Sequence, residues 1–514
     1  MSAVFTPKNQ PLAALGLALA LFMQVLDSTI ANVALPAISG NLGASAQQGT
    51  WVITAFSVSN AIAMPLTGWL SRRFGEVNLF VIATALFVVM SFLCGLSQNL
   101  GTLIVFRAMQ GACAGPLYPM VQSLMISIFP GNKRSVALAT ISMIAVVAPI
   151  AGPVLGGWVT DSYSWPWIFF INLPIGVFSV YVVWTQMRHK TEVRQRTRMD
   201  YVGLITLTLG VGCLQVLLDT GNDQDWFESN MIVALAIISS ISVVVFVVWE
   251  LTEEHPIVNL KLFRHRNFTV ATIAYTFAYG AFIGGGLLVP LWLQTQLGYT
   301  ALWSGLAMAP LGFFPIVLTP LVGKYAPRFE LRVLASLALL FFGAIFYLRS
   351  VFTLDIDFAH VAWLQLLQGI GIALFFMPLL TILLSDLDGS EITDGAGLST
   401  FFRTLGASFA ISITTYQWNH RAVIHHAQLT EIFTPFNPVT TGAVKMIGGG
   451  DAQLAMMRVD ALINQQAYQI AFNDVFRALA FILAAMTIFV WLTKPPFFRT
   501  APAAPKAEPT SAEH

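Results

Sequence analysis

The sequence predicts an all-α polytopic membrane protein of fourteen transmembrane helices, two six-helix bundles separated by two inserted helices. Three observations lead there: a composition that water cannot solvate, fourteen apolar segments of spanning length, and a faint internal duplication eight helices apart. Of the 514 residues, 56% are hydrophobic and 10% charged, against roughly 25% charged in soluble domains. So few charges cannot cover a water-facing surface of this size. Lipid requires none.

The same composition excludes other classes. With 26 basic and 25 acidic residues, the chain has no basic field for nucleic acid. Cys94, Cys113 and Cys213 fall in apolar stretches, which suggests neither a disulfide framework nor a thiolate zinc site. The eight histidines lie mostly in loops without ligand spacing, so no metal site is expected. Residues 1–10 are short and polar, with Lys8, and no small-residue cleavage site follows the apolar run. The first span is therefore expected to be retained.

A helix needs about 20 mostly apolar residues to cross the hydrocarbon core. Segments 12–35, 51–70, 79–97, 102–125, 136–160, 167–187, 202–220, 231–250, 269–290, 305–323, 333–350, 361–384, 397–417 and 473–493 meet that requirement. Lys and Arg in the connecting loops set the orientation. With the N-terminus inside, the inward segments hold 19 basic residues, among them Arg72, Arg73, Lys190, Lys324 and Arg328. The outward segments hold only Arg349, Arg421, Lys445 and Arg458. Both termini are thus expected in the cytoplasm. One inward loop carries Asp386, Asp388, Glu391 and Asp394 with no basic residue, and acidic residues weigh little in the rule.

This divides the chain into a first bundle (1–198), an insert of two helices (199–266), and a second bundle (267–499). The second bundle contains a polar outward stretch of 55 residues, 418–472, read as a long loop. The Ala/Pro-rich tail, 500–514, reads as disordered.

The duplication rests on two short matches. Pro65-Leu-Thr-Gly68 precedes Arg73-Phe74, and Pro320-Leu-Val-Gly323 precedes Arg328-Phe329 at the same spacing, an offset of 255. Gln110-Gly111 is repeated as Gln368-Gly369, an offset of 258. Matches between spans two and ten and between spans four and twelve require six helices per half and two between. Duplicated halves are a mark of transporters that rock about a central site.

Charges within a span are expensive and are functional candidates by default. Asp27 interrupts an almost purely apolar run, about 12 Å from the expected outer end of the first helix at 1.5 Å per residue. Arg107 lies about 8–9 Å below the same surface, so the two can meet. Burial favours the protonated form of a carboxylate and a neighbouring cation the ionised form. Such a carboxylate can take up and release a proton as its surroundings change, with the arginine as modulator. A static ion pair fastening two helices is the competing reading. Gln24, Asp27, Ser28 and Asn32 are spaced by threes and fours, which suggests a cavity wall, with polar helix packing as the alternative. Arg403 enters the thirteenth span from the inner side, where snorkelling or pairing with Asp394 competes with a role in transport. Gly111 to Gly115 and Gly152-Pro153-Val-Leu-Gly156-Gly157 are small-residue patterns that let helices approach closely. Pro149 and Pro153 are expected to kink the fifth span. There is no phosphate loop and no nucleophile elbow.

These residues also resemble a known family. Leu26-Asp-Ser-Thr-Ile-Ala-Asn-Val-Ala-Leu-Pro-Ala-Ile38 is similar to the first-helix signature of the fourteen-span drug:proton antiporters of the major facilitator superfamily. Gly68-Trp-Leu-Ser-Arg-Arg-Phe-Gly-Glu76 resembles the superfamily's loop motif, including Arg73 and Gly75. Arg107-Ala-Met-Gln-Gly111 resembles its fourth-helix motif, Gly152 to Gly157 its antiporter motif, and Trp167-Ile-Phe-Phe-Ile-Asn-Leu-Pro-Ile-Gly176 a subfamily signature. Outer-loop words, His425 to Glu431 and Phe436-Asn-Pro438, extend the likeness to the pumps of one subgroup.

The resemblance implies the major facilitator fold and export of lipophilic small molecules across a bacterial inner membrane, driven by protons without a bound cofactor. Asp27 and Arg107 would be the coupling pair, and Gln110 of the fourth-helix motif is expected to line the cavity. It further implies a periplasmic adaptor and an outer-membrane channel as partners. The loop motif commonly has an acidic residue where Arg72 stands and a basic one where Glu76 stands, which puts that loop's charge relay in doubt. Export of one dedicated metabolite, fatty acid or siderophore is the alternative within the class. A membrane-embedded enzyme, a passive channel or an envelope scaffold are the alternatives outside it.

Overall fold

The computed structural model describes residues 7–44, 46–129, 134–190, 199–254, 256–389, 391–431 and 452–497. Helices occupy all fourteen expected positions: α1 (Gln10–Asn41), α2 (Trp51–Ala63 and Thr67–Phe74), α3 (Glu76–Gly95), α4 (Leu100–Ala114 and Leu117–Ile128), α5 (Arg134–Ser162) and α6 (Trp167–Phe170 and Asn172–Met187) form the first bundle. The insert is α7 (Tyr201–Thr220) and α8 (Asn230–Thr252). The second bundle is α9 (Arg266–Thr295), α10 (Ala301–Met308 and Phe313–Tyr325), α11 (Leu331–Arg349), α12 (Phe358–Leu383), α13 (Ile392–Thr430) and α14 (Ala452–Trp491).

Among the described residues, eleven spans are long and apolar enough to cross a membrane, and α2, bent by 62° between its segments, makes twelve. The other two positions are α4 and α13. Gly115-Pro116 divides α4 into two short segments, because proline lacks the N–H that continues the ladder. In α13, Arg403 and hydroxyl residues such as Ser399, Thr400, Thr404 and Ser408 dilute the apolar run. The fifth helix, α5, runs from Arg134 to Ser162 as one element that includes Pro149 and Pro153.

The duplication is visible as packing. A side chain at Gly111 of α4 would run into the Phe56 carbonyl of α2, and one at Gly369 of α12 into the Leu311 carbonyl in the turn Ala309–Gly312 that joins the two segments of α10. Phe56 and Leu311 are 255 residues apart, the offset of the sequence match. Gly152 and Gly156 of α5 close on Thr29 and Ile30 of α1, while Gly280 and Gly284 of α9 close on Gly406 and Ala410 of α13. Small residues at these crossings let backbones meet. Gly157 has only Val33 near it, 4.0 Å away, and its glycine has no packing explanation.

The halves meet at the end of the bundle that carries the basic loops, hereafter the basic face. Gly68 admits Asp394 of α13 to the α2 backbone, and Arg72 forms an ion pair with that carboxylate. Glu76 accepts from Thr393 at 2.5 Å and from Ser123 at 2.7 Å, and pairs with Lys190 at 2.5 Å. Its carboxylate lies against the first turn of α13, where the helix dipole favours negative charge. On the pseudo-symmetric side, Gly323 of α10 closes on Ser135 and Ala139 of α5. The exchanged charges at 72 and 76 are therefore both engaged in the contact between halves. Arg73 is exposed and stacks over Trp69 at 5.3 Å. Gly75, at φ 86°, turns the chain between α2 and α3, a conformation that favours glycine.

The insert spans the seam between halves. Gln215 of α7 donates to Ser408 of α13 at 2.9 Å, and Asp219 accepts from Thr54 of α2. Its partner α8 turns Ile237, Ile241, Val244 and Val248 outward, as a lipid-facing helix should.

Within the stretch 418–472 read as a loop, the described residues, 418–431 and 452–472, are almost wholly helical. α13 has 39 residues and α14 has 40, about 60 Å each at 1.5 Å per residue, twice the roughly 30 Å hydrocarbon core. They continue as a pair beyond the expected membrane. Trp418 Nε1 donates to the Tyr468 carbonyl at 3.0 Å, His426 meets Asp460 at 3.0 Å, and Arg421 and His425 both reach Asp474 at 2.9 Å. The Phe436-Asn-Pro438 word and the 500–514 tail lie outside the described residues.

The basic-face contact is testable by charge exchange. Arg72→Asp or Asp394→Arg alone sets like charges together, and spin labels at positions 188 and 324 are expected to gain a longer-distance population. The Arg72→Asp/Asp394→Arg double variant should restore the short distances.

Candidate functional site

Asp27 and Arg107, 80 residues apart in sequence, meet inside the first bundle. Arg107 Nη1 donates to Asp27 Oδ2 at 2.6 Å, and the side chains are 1% and 0% exposed. Because α1 continues to Asn41, Asp27 sits about 21 Å from its end rather than about 12 Å. Gly111, one turn beyond Arg107, seats α4 directly on α2. The Arg107 Nε then donates to the Val52 carbonyl of α2 at 3.3 Å, and the guanidinium lies over the Phe56 ring at 4.2 Å and the Phe169 ring at 5.6 Å.

The second carboxylate oxygen is held by two amides. Asp27 Oδ1 accepts from Asn172 of α6 at 2.7 Å and from Gln110 of α4 at 3.1 Å. Gln110 Oε1 accepts in turn from Arg107 at 2.9 Å and from the Cys94 thiol of α3 at 3.6 Å. Asn172 also donates to Ser91 Oγ at 2.9 Å, and Ser91 donates to the Phe169 carbonyl. Side chains from α1, α3, α4 and α6 thus close one buried polar cluster, with α2 contributing a carbonyl and a ring. Removing one partner of such a buried pair costs about 3–5 kcal/mol, because the other charge is left uncompensated.

The cluster can accommodate a proton. The Asn172 Oδ1 atom is buried and has no partner. An amide offers two donors or an acceptor according to its orientation. With the carboxylate ionised, the amide nitrogen faces it. With Asp27 protonated, a rotated Asn172 amide would accept the new O–H.

Gln24, Ser28 and Asn32 do not join this cluster. Gln24 is buried with its Oε1 unpartnered. Ser28 is half-buried and donates to the Val25 carbonyl of its own helix at 2.7 Å, and Asn32 is exposed. The four residues therefore do not form one surface, since Asp27 turns into the bundle. Arg403 neither snorkels nor pairs with Asp394, which Arg72 takes. It is 6% exposed and donates to Tyr118 and Tyr275. Arg349, assigned from sequence to an outward loop, ends α11 instead and folds inward. It is 1% exposed and donates to Gln368 Oε1 at 2.6 Å. Sequence reasoning missed Ser91, Cys94, Phe56 and Phe169 as site residues. Asn172 was visible inside the sixth-helix signature but without a role.

A family model described as the Major Facilitator Superfamily matches residues 17–411. The chain belongs to that superfamily. Among similar major facilitator proteins, the "Multidrug export protein EmrB" of Haemophilus influenzae is 46% identical over 95% of this chain and 96% of its own length. The Escherichia coli K12 protein of the same name is 46% identical over 94% and 95%. The "Fatty acid resistance protein FarB" of Neisseria gonorrhoeae is 45% identical over 94% and 96%. The crystal structure of human MFSD10 (TETRAN), described as an organic anion transporter, covers 92% of this chain and 99% of its own with a TM-score of 0.56. At 13% identity that likeness concerns the major facilitator fold alone.

The amide's part is open to test. Asn172→Ala removes a donor to the ionised carboxylate, and hydrogen bonds to charged groups contribute about 1.5–3 kcal/mol. The cluster loses that hold, so proton-coupled efflux at a fixed pH should fall several-fold while the folded protein still reaches the membrane. Unchanged efflux would leave Asn172 a packing residue.

Proposed function

We propose that this chain is a proton-driven exporter of hydrophobic and amphipathic compounds, drawing them from the cytoplasm or the inner leaflet of a bacterial inner membrane. One observation carries the reading: a carboxylate buried to 0% exposure in a span, fixed by one cation and two amides drawn from other helices of the same bundle. A charge so placed is costly. An export cycle makes use of it, because protonation cancels the charge and releases Arg107 from its ion pair. Asp27 takes a proton from the outer side and gives it up to the cytoplasm. The closed basic face is then one end state of the cycle, and the opposite state is reached by parting Arg72 from Asp394. The proton motive force supplies the energy, and no bound cofactor is needed.

Orientation follows the basic loops, with both termini cytoplasmic. The paired ends of α13 and α14 then stand in the periplasm, where they could meet an adaptor protein that leads to an outer-membrane channel. Relatives named for multidrug export support the substrate range, and the relative named for fatty acid resistance supports a narrower alternative.

The deciding experiment uses everted membrane vesicles and a panel of lipophilic toxicants, wild type against Asp27→Asn. The substitution keeps shape and removes the titratable group. Wild-type vesicles should release protons on drug addition, and the variant, folded, should match vesicles lacking the protein. A variant that still pumps would make the Asp27–Arg107 pair a static fastener.

A further inference from the structure

The second bundle holds a cation that the proton site does not use. Arg403 lies 11 residues into α13, about 17 Å along it at 1.5 Å per residue. Its Nη1 donates to the Tyr118 hydroxyl at 2.8 Å and to the Tyr275 hydroxyl at 3.3 Å. The guanidinium lies over the Tyr118 ring at 4.1 Å, the Tyr279 ring at 4.9 Å and the Tyr275 ring at 5.9 Å. Its Nε is buried and has no partner. Among the described residues, no carboxylate pairs with it; its electrostatic neighbours are the three tyrosines. Arg107, by contrast, has Asp27.

Ring faces and phenol oxygens compensate a guanidinium only in part. The arrangement is costly for a structural fastener, because a carboxylate would hold the helices better. The origin of the tyrosines matters more. Tyr275 and Tyr279 stand on α9, in the same bundle as Arg403, whereas Tyr118 stands on α4 in the other. Ser123, five residues further along α4, and Thr393, on the first turn of α13, are hydrogen-bonded at 2.8 Å in the basic-face contact. When that contact parts, Tyr118 leaves with the first bundle. Arg403 keeps Tyr275 and Tyr279 and gains a free face toward the opened side.

We propose that Arg403 is the binding site for the acid group of an amphipathic organic anion, and that Tyr118 displaces this group when the basic face closes. The fork of guanidinium N–H donors matches a carboxylate, and the two tyrosine rings give the adjoining apolar body a surface. The Tyr118 hydroxyl in this structure occupies the donor that the anion would take. Closure thus exchanges a ligand for a built-in phenol, which releases the ligand on the side away from the basic face. The proposal deepens the export reading by naming one substrate class and its recognition residue.

The test is equilibrium binding to the full-length protein in phosphatidylcholine nanodiscs at pH 8. The probes are dodecanoate, uncharged dodecanamide and cationic dodecyltrimethylammonium. Arg403→Gln should weaken dodecanoate by about 10–100-fold, the range of a charged hydrogen bond, and leave the other two unchanged. Arg403→Lys should fall between. Tyr118→Phe, which keeps the ring, should tighten dodecanoate because the competing hydroxyl is gone. Equal loss of all three probes in Arg403→Gln, or no change with Tyr118→Phe, would make the cage structural and overturn the proposal. So would phosphatidylglycerol displacing dodecanoate from wild type but not from Arg403→Gln, since the occupant would then be a lipid headgroup. Proton-coupled efflux of a neutral or cationic dye is scored separately. Its survival alongside a negative binding result discards only this inference, whereas its absence in wild type discards the exporter itself.

Discussion

A charge placed in hydrocarbon must be neutralised by its neighbours, and the architecture of this protein follows from how it does so. Asp27 meets that requirement with one guanidinium and two amides, and each of those groups belongs to another helix. The site therefore dictates that α1, α3, α4 and α6 converge at one depth. Convergence of that kind needs thin crossings. Gly111 provides one at the Phe56 carbonyl, and Gly152 and Gly156 provide another at Thr29 and Ile30. The glycine-rich patterns that look like generic packing in the sequence are what allow the charged residues to meet.

The same requirement explains the contact between halves. Arg72 and Asp394 are partly shielded charges paired across the basic face, and Glu76, paired with Lys190 in its own bundle, crosses only through the Thr393 hydroxyl. The Arg72 guanidinium, 29% exposed, keeps access to water, so this pair costs less to part than a fully buried one. A latch built from it can open during a cycle. The Asp27–Arg107 pair, at 0% and 1% exposure, cannot part so cheaply unless a proton removes one of the charges. The two kinds of pair suit two tasks, one for reversible closure and one for coupling that closure to a proton.

Much of this was legible in the sequence because membranes impose a simple code. Asp27 and Arg107 stood out as charges in apolar runs, and the offset of 255–258 anticipated the matched crossings at Phe56 and Leu311. The paired helices beyond residue 417 were hidden because hydropathy reports contact with lipid. A helix in water, held by His426–Asp460 and Trp418–Tyr468, is as polar as a loop. Arg349 was misplaced for a related reason. At the end of a span, a basic residue can turn out to water or in to a buried partner, and only the position of Gln368 decides. Asn172 was recognisable as part of a signature, but its task depends on Asp27, which is 145 residues away.

The duplicated halves have kept their crossings and diverged in charge. Gln110 and Gln368 are counterparts, and each accepts from a buried arginine, Arg107 in the first bundle and Arg349 in the second. The first bundle adds a carboxylate. At the offset of 258, the second has Gly285 where Asp27 would stand, packed against Phe346 and Phe476. The guanidinium of Arg349 lies over those same two rings, at 5.5 and 5.7 Å, and Arg403 likewise relies on rings and hydroxyls. In the proposed cycle the first bundle gains and loses one charge at Asp27, a position where the second has no carboxylate. A proton arriving at Asp27 alters the balance within the first bundle while the cations of the second stay in place. The responses of the two bundles differ although their frames are alike, and rocking one frame against the other is the motion that such a difference can drive.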